Sequence, residues 1–110
     1  MENKEIKEVT QKTEEKLIKI LQFAQRAGKL KFGISMLKTL NNRLKIIIIS
    51  DDVSETNLKK ILNFKGTNPM IVSIGTKLKL GEALGRGAVS IISLTDVNFV
   101  NGILKLVTQN

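Results

Sequence analysis

Lys45-Ile46-Ile47-Ile48-Ile49-Ser50 is the stretch on which the fold turns. Four consecutive β-branched residues, closed on one side by a charge and on the other by Ser50-Asp51-Asp52, offer no polar face to water. A strand with one wet face alternates apolar and polar residues, so an unbroken run points to a strand covered on both faces. Helices must then lie above and below it. Met70 to Ile74, after Pro69, reads as a second buried strand, and Ala88 to Leu94 as a third.

Around these strands the apolar spacing becomes helical. From Glu15 to Ala27, the residues Leu17, Ile20, Leu21, Ala24 and Ala27 recur at helical intervals, with Lys19, Gln22 and Arg26 on the other side and Gly28 as the stop. Lys29 to Phe32 is a short extended piece. It leads through Gly33 to Ser35, which is expected to cap a short helix turning Met36, Leu37 and Leu40 inward and ending at Asn41-Asn42. Asp51 to Phe64 reads as a helix with Ser54 as N-cap and Val53 stapled to Leu58. Thr76 caps a short helix ending at Gly85, and Asp96 caps a last one with Phe99, Val100, Ile103, Leu104 and Val107 inward. Residues 1–14 carry only Ile6 and Val9 as apolar markers, so they are expected to form a polar arm or weak helix that holds no site. The alternation predicts one α/β domain over residues 15–110, a three-layer α-β-α sandwich without internal repeats.

Composition narrows the function. A chain of 110 residues has room for one core, and 42% hydrophobic with 25% charged residues is ordinary for a globular domain. The longest apolar run, Ile46 to Ile49, is too short to cross a bilayer, the N-terminus has no apolar signal core, and there is no cysteine. A cytoplasmic protein without a membrane partner is expected. Histidine is also absent, which removes the usual base near neutral pH and the imidazole ligand for zinc or iron. Binding without a metal or other cofactor is therefore expected, and not catalysis. With four phenylalanines and no tyrosine or tryptophan, a sheet that stacks several unpaired bases is hard to build. Charge and shape are the remaining means of holding a nucleic acid.

The charge is unevenly placed. Between Lys16 and Ser50 lie eight basic residues (Lys16, Lys19, Arg26, Lys29, Lys31, Lys38, Arg43 and Lys45) and no acidic one, while the remainder holds ten of each sign. The whole net charge of +8 arises in that stretch. This is the footprint expected for a polyanion. The competing reading is a lysine-rich solubilising surface, since 15 of the 18 basic residues are lysine.

One long segment, Leu21-Gln22-Phe23-Ala24-Gln25-Arg26-Ala27-Gly28-Lys29-Leu30-Lys31-Phe32-Gly33, resembles the L-seven-Ae/L-thirty-e ribosomal protein family, and more narrowly its bacterial ribosomal-protein-like members. The likeness continues in order through the helix with Lys38, the strand Ile46 to Ser50 with Asp51-Asp52, Gly75-Thr76-Lys77, and Leu80-Gly81-Glu82-Ala83-Leu84-Gly85, spanning about residues 15–108. The resemblance implies a mixed four-stranded sheet between helices. It also implies recognition of the kink-turn, a sharply bent RNA internal loop built on sheared G·A pairs, in a ribosomal or other non-coding ribonucleoprotein. Carried onto this sequence, one RNA contact falls on Lys29, Lys31, Gly33, Ile34, Ser35, Met36 and Lys38, and a second on Leu84, Gly85, Arg86, Gly87 and Ala88. Arg26 and Arg86 are expected as outer contributors.

The sequence departs from the family at one informative place. Strong kink-turn binders carry Gly-x-Asn-Glu, whereas Gly33 here is followed by Ile34-Ser35-Met36. Losing the Asn and Glu side chains removes groups suited to guanine edges, while the backbone grip is unaffected. Each element also has a purely structural reading: Gly28 and Gly33 as turn residues, Ser35 as a cap, Met36 as core, and Gly85-Arg86-Gly87 as a tight turn. Three rivals stand beside kink-turn binding in a monomer. They are a general basic RNA-binding domain, a protein-interaction scaffold of the same fold, and an RNA-modifying enzyme module, the last of which lacks both a cofactor domain and a candidate base.

Overall fold

The computed structural model describes residues 5–64, 66 and 68–108. In chain order the elements are β1 (Ile6–Glu8), α1 (Gln11–Arg26), β2 (Leu30–Phe32), α2 (Met36–Leu40), a 3-10 turn (Asn41–Arg43), β3 (Ile46–Ile49), α3 (Glu55–Leu62), β4 (Met70–Ser73), α4 (Lys77–Ala83), β5 (Ile91–Leu94) and α5 (Val97–Thr108). The strands form one mixed sheet in the order β1-β4-β3-β5-β2. β3 runs parallel to β4 on one side and antiparallel to β5 on the other.

The isoleucine run behaves as its lack of polar positions demands. Ile46 and Ile48 enter a core shared with Leu17, Leu21 and Ala24 of α1, Leu80 of α4, and Val100, Ile103 and Val107 of α5. Ile47 and Ile49 point the other way, into a smaller core with Leu37 and Leu40 of α2, Leu44, and Ile61 of α3. All four are buried. Period-two alternation of side chains thus divides one strand between two helical layers, giving the three-layer α-β-α sandwich.

Most helix boundaries follow from local chemistry. Ser54 Oγ accepts the Asn57 N–H at 3.1 Å, and Val53 and Leu58 both pack on the smaller core. Thr76 Oγ1 accepts from Lys79 N at 3.2 Å, and Asp96 Oδ1 from Asn98 N and Phe99 N at 3.0 and 3.2 Å. The Asp52 carboxylate accepts the Lys77 N–H that opens α4, at 2.9 Å, and this bond holds its carboxyl below the ordinary value. Gly28 and Gly33 both take positive φ, +72° and +94°, a conformation costly for any residue with a Cβ.

The structure corrects the sequence reading at several points. The sheet has five strands, not four: Ile6–Glu8, expected within a polar arm, pairs in parallel with Ile71–Ser73 as an edge strand. Residues 1–4 of that arm lie outside the described residues. α1 begins at Gln11, four residues earlier than its apolar spacing suggested, because Thr10 Oγ1 accepts from Thr13 N at 3.2 Å. Ala27, expected inward, is exposed at the end of α1. Ser35 precedes α2 but its hydroxyl makes no capping bond, since its backbone is already helical at φ −63° and ψ −21°. The third helix starts at Glu55 and the last strand at Ile91, both shorter than expected.

Because the smaller core depends on few residues, truncation there should be costly. Leu37→Ala is expected to lower stability by about 2–5 kcal/mol, the usual range for a buried Leu-to-Ala cavity, read as a lower urea midpoint at constant m-value.

Candidate functional site

α1 ends where the chain must reverse toward the sheet edge. Lys29 N–H donates to Ala24 O at 2.9 Å, closing the turn around Gly28, and β2 then runs antiparallel to β5 with Phe32 opposite Ile92. Gly33 N–H donates to Ile91 O at 3.1 Å, extending this ladder by one bond before Met36 N–H returns to Gly33 O at 3.3 Å. The turn at Gly33 is therefore pinned to the start of β5.

The second loop reaches the same place from α4. Leu84 is buried, and its carbonyl accepts Gln25 Nε2 at 2.9 Å, while Ala83 O accepts Gln22 Nε2 at the same distance. Two glutamines of α1 thus take up carbonyls at the end of α4, where orphan acceptors are normally left. Gly85 turns at φ +66°, and Arg86 N–H donates back to Gly81 O at 2.8 Å. Gly81 has no room for a side chain, because a Cβ there would collide with the carbonyl of Gly87. The Arg86 guanidinium then lies over Phe32, 3.9 Å from the ring centroid, a cation–π contact joining the two loops.

Between them is a cleft of about 220 Å³ lined by Phe32, Gly33, Arg86, Ala88, Val89 and Ser90, with Ile91 beneath. The structure thus brings Gly33, Arg86 and Ala88 together from segments over fifty residues apart. Gly85 and Gly87 are exposed beside them. Leu84 belongs to the larger core, so its side chain is not presented.

The remaining candidates divide. Lys31 is exposed on the edge strand, on the sheet face opposite to Phe32. Lys29 leans toward Asp96 at 3.8 Å, a half-exposed pair of small energetic weight. Ser35 is exposed, whereas Met36 and Ile34 are half-buried against the smaller core. Ile34 and Lys38 line a second, larger cleft of about 450 Å³ with Leu37, Asn41, Lys60 and Phe64. Arg26 is exposed, its guanidinium 4.7 Å from the Phe23 ring centroid.

Sequence reasoning missed Phe32, Gln22, Gln25 and Gly81. Phe32 and Arg86 are brought together only by the strand order, and nothing local marks them as partners. The glutamines at helical spacing were a visible signal without a visible target. Among the described residues no three His, Cys, Asp or Glu side chains are grouped to hold a metal ion, and no helix is long and apolar enough to cross a membrane.

Residues 6–102 match the model of the ribosomal protein L7Ae/L30e/S12e/Gadd45 family. The chain belongs to that family. Its fold resembles that of a protein of unknown function from Bacillus halodurans C, with a TM-score of 0.73 and 26% identity over 84% of this chain and 97% of that one. It also resembles the 15.5kD RNA binding protein of Giardia lamblia, with a TM-score of 0.70 and 18% identity over 92% of each chain. Among curated proteins, none matches the sequence.

The close approach of α4 to its following loop gives a direct test of this architecture. Gly81→Ala must push the loop carrying Arg86 away from Phe32, so it is expected to cost about 1–3 kcal/mol, as overpacking does. Amide chemical-shift changes should centre on Arg86 to Ala88 and on Phe32, with β1 unaffected.

Proposed function

We propose that this protein binds structured RNA and recognises a kink-turn within a ribonucleoprotein, without catalysing a reaction. The observation that carries the proposal is the cleft in which the Gly33 turn and the Arg86–Ala88 loop meet, with Arg86 seated on Phe32. Family membership and the likeness to the RNA binding protein of Giardia lamblia support RNA as the partner.

A bent RNA crowds its phosphates, and crowded phosphates repel. Cations placed at the bend lower the energy of the kinked state relative to the extended one, so binding shifts the population toward it. Arg86 in the cleft, with Lys29, Lys31 and Lys38 around it and Arg26 beyond, supplies that charge. Lys29 would exchange Asp96 for a phosphate. The positive-φ turn at Gly33 lets backbone approach a groove without a Cβ in the way. Ser35 and Met36 offer little to hydrogen-bond a guanine edge, so discrimination rests on shape and phosphate position more than on base identity.

Shape recognition requires a control of equal charge. A kink-turn hairpin should bind at least about tenfold tighter, about 1.4 kcal/mol, than the same hairpin with its G·A pairs made Watson–Crick, at near-physiological salt. Labels on the two RNA arms should approach each other as protein is added. Equal affinities would leave a general basic RNA-binding domain.

The role of the lysines has its own signature. Replacing Lys29, Lys31 and Lys38 together by Ala should flatten the plot of log affinity against log salt by roughly two to three units, since about three phosphate contacts are lost. An unchanged slope in a folded variant would place the phosphate contacts elsewhere.

A further inference from the structure

The outward face of α1 carries an arrangement that the cleft does not use. Lys12, Lys16, Lys19, Phe23 and Arg26 follow at intervals of four, three, four and three residues, and all are exposed. At 3.6 residues per turn these five lie within about 80° of arc and extend about 21 Å along the helix. They face away from Leu17, Leu21 and Ala24, which bury the opposite side.

This stripe runs against helix stability. Lys12 sits in the first turn, where the helix dipole disfavours a cation, and Lys12/Lys16 and Lys16/Lys19 are like-charged neighbours on one face. Of the two acids of α1, Glu14 is turned to Lys79 at 3.0 Å, and Glu15 alone, three residues after Lys12 and four before Lys19, offsets part of the repulsion, forming no ion pair among the described residues. Among the described residues Lys12, Lys16 and Lys19 make no ion pair either. Phe23 is 59% exposed, one of three large apolar side chains left in solvent among the described residues, and Arg26 stands beside its ring. An exposed aromatic next to a guanidinium, in line with three amines held in no ion pair, suits a polyanion whose monomers have flat faces.

The stripe also adjoins the cleft. Gln22 and Gln25, on the adjoining flank of the same helix, hold the end of α4 from which the Arg86 loop departs. A strand leaving the cleft past Arg26 would meet Phe23 and then the lysines in order.

We infer that the outward face of α1 is a second RNA-binding surface, taking a single-stranded segment that flanks the structured element, with its phosphates on Lys12, Lys16 and Lys19 and an unpaired base on Phe23. This rests on the reading of RNA as the partner, but not on recognition of the bend. One aromatic platform is enough here, because the lysines supply the remaining grip.

The test compares a kink-turn hairpin with the same hairpin bearing an unstructured uridine tail of roughly ten nucleotides on its 5′ or its 3′ end. The tail on at least one end should tighten binding to the unaltered protein by about tenfold and steepen its salt dependence by about two units, the single-strand value for three phosphates. In the K12Q/K16Q/K19Q variant the added salt dependence should vanish and the affinity gain should fall to what Phe23 alone supplies, while affinity for the untailed hairpin stays within about twofold. Phe23→Ala should remove about fivefold of the gain without altering the salt slope, since stacking releases no counterions. Circular dichroism should show both variants as helical as the parent, because every substituted side chain is exposed. A tail that adds nothing at either end, or an added salt dependence that survives the triple substitution, would overturn the inference. If the G·A control binds as well as the kink-turn while the tail gain follows these variants, recognition of the bend fails and the α1 surface stands.

Discussion

Four adjacent isoleucines in the centre of a sheet can be kept dry only if both faces are covered and both neighbouring strands are in place. Burying each such side chain is worth on the order of 2–3 kcal/mol, so β3 alone contributes roughly 10 kcal/mol, about the size of a domain's whole net stability. The demand cannot be met by nearby sequence. It draws α1, α4 and α5 to one face and α2, α3 and the Leu44 turn to the other, with β4 and β5 as flanks.

The position of the cleft follows from how those flanks are connected. β5 is antiparallel to β3 and is followed outward by β2, so the end of β2 and the start of β5 meet at one end of the sheet. The loop after α4 must pass over that point to enter β5. Arg86 consequently meets Phe32, and the glutamines of α1 fix the height at which the loop crosses. Rigid elements thus hold two short loops in register, a sound way to present a shaped surface. The surface on α1 needs no such assembly, because helical periodicity alone aligns it.

Legibility in the sequence followed the same division between local and distant causes. The buried strands, the caps at Ser54, Thr76 and Asp96, and the turns at Gly28 and Gly33 were readable because each depends on a few adjacent residues. The first strand was not: Ile6-Lys7-Glu8 has one apolar residue, and its order comes from bonds to β4. Ser35 misled because cap preference is statistical, whereas the entry to α2 is set by the Gly33 turn and by Met36 and Leu37 packing behind it. Among candidate contacts, the lysines stood out by their charge, while Gly33 and the Gly85-Arg86-Gly87 loop were suggested by the family resemblance. Leu84 followed the resemblance but belongs to the core, and Phe32 was passed over because its partner lies fifty-four residues away.

The sheet edges carry one more consequence. Each edge strand is only three residues long, and each has a lysine at its centre, Lys7 in β1 and Lys31 in β2. Short strands with central charges are poor templates for another chain, which is how natural sheets resist edge-to-edge association. Lys31 therefore guards the β2 edge as well as carrying charge in the proposed RNA-binding surface. Protein held at high salt, where that charge is screened, keeps only strand length as protection at β2, so its colloidal behaviour is tied to its ionic surroundings.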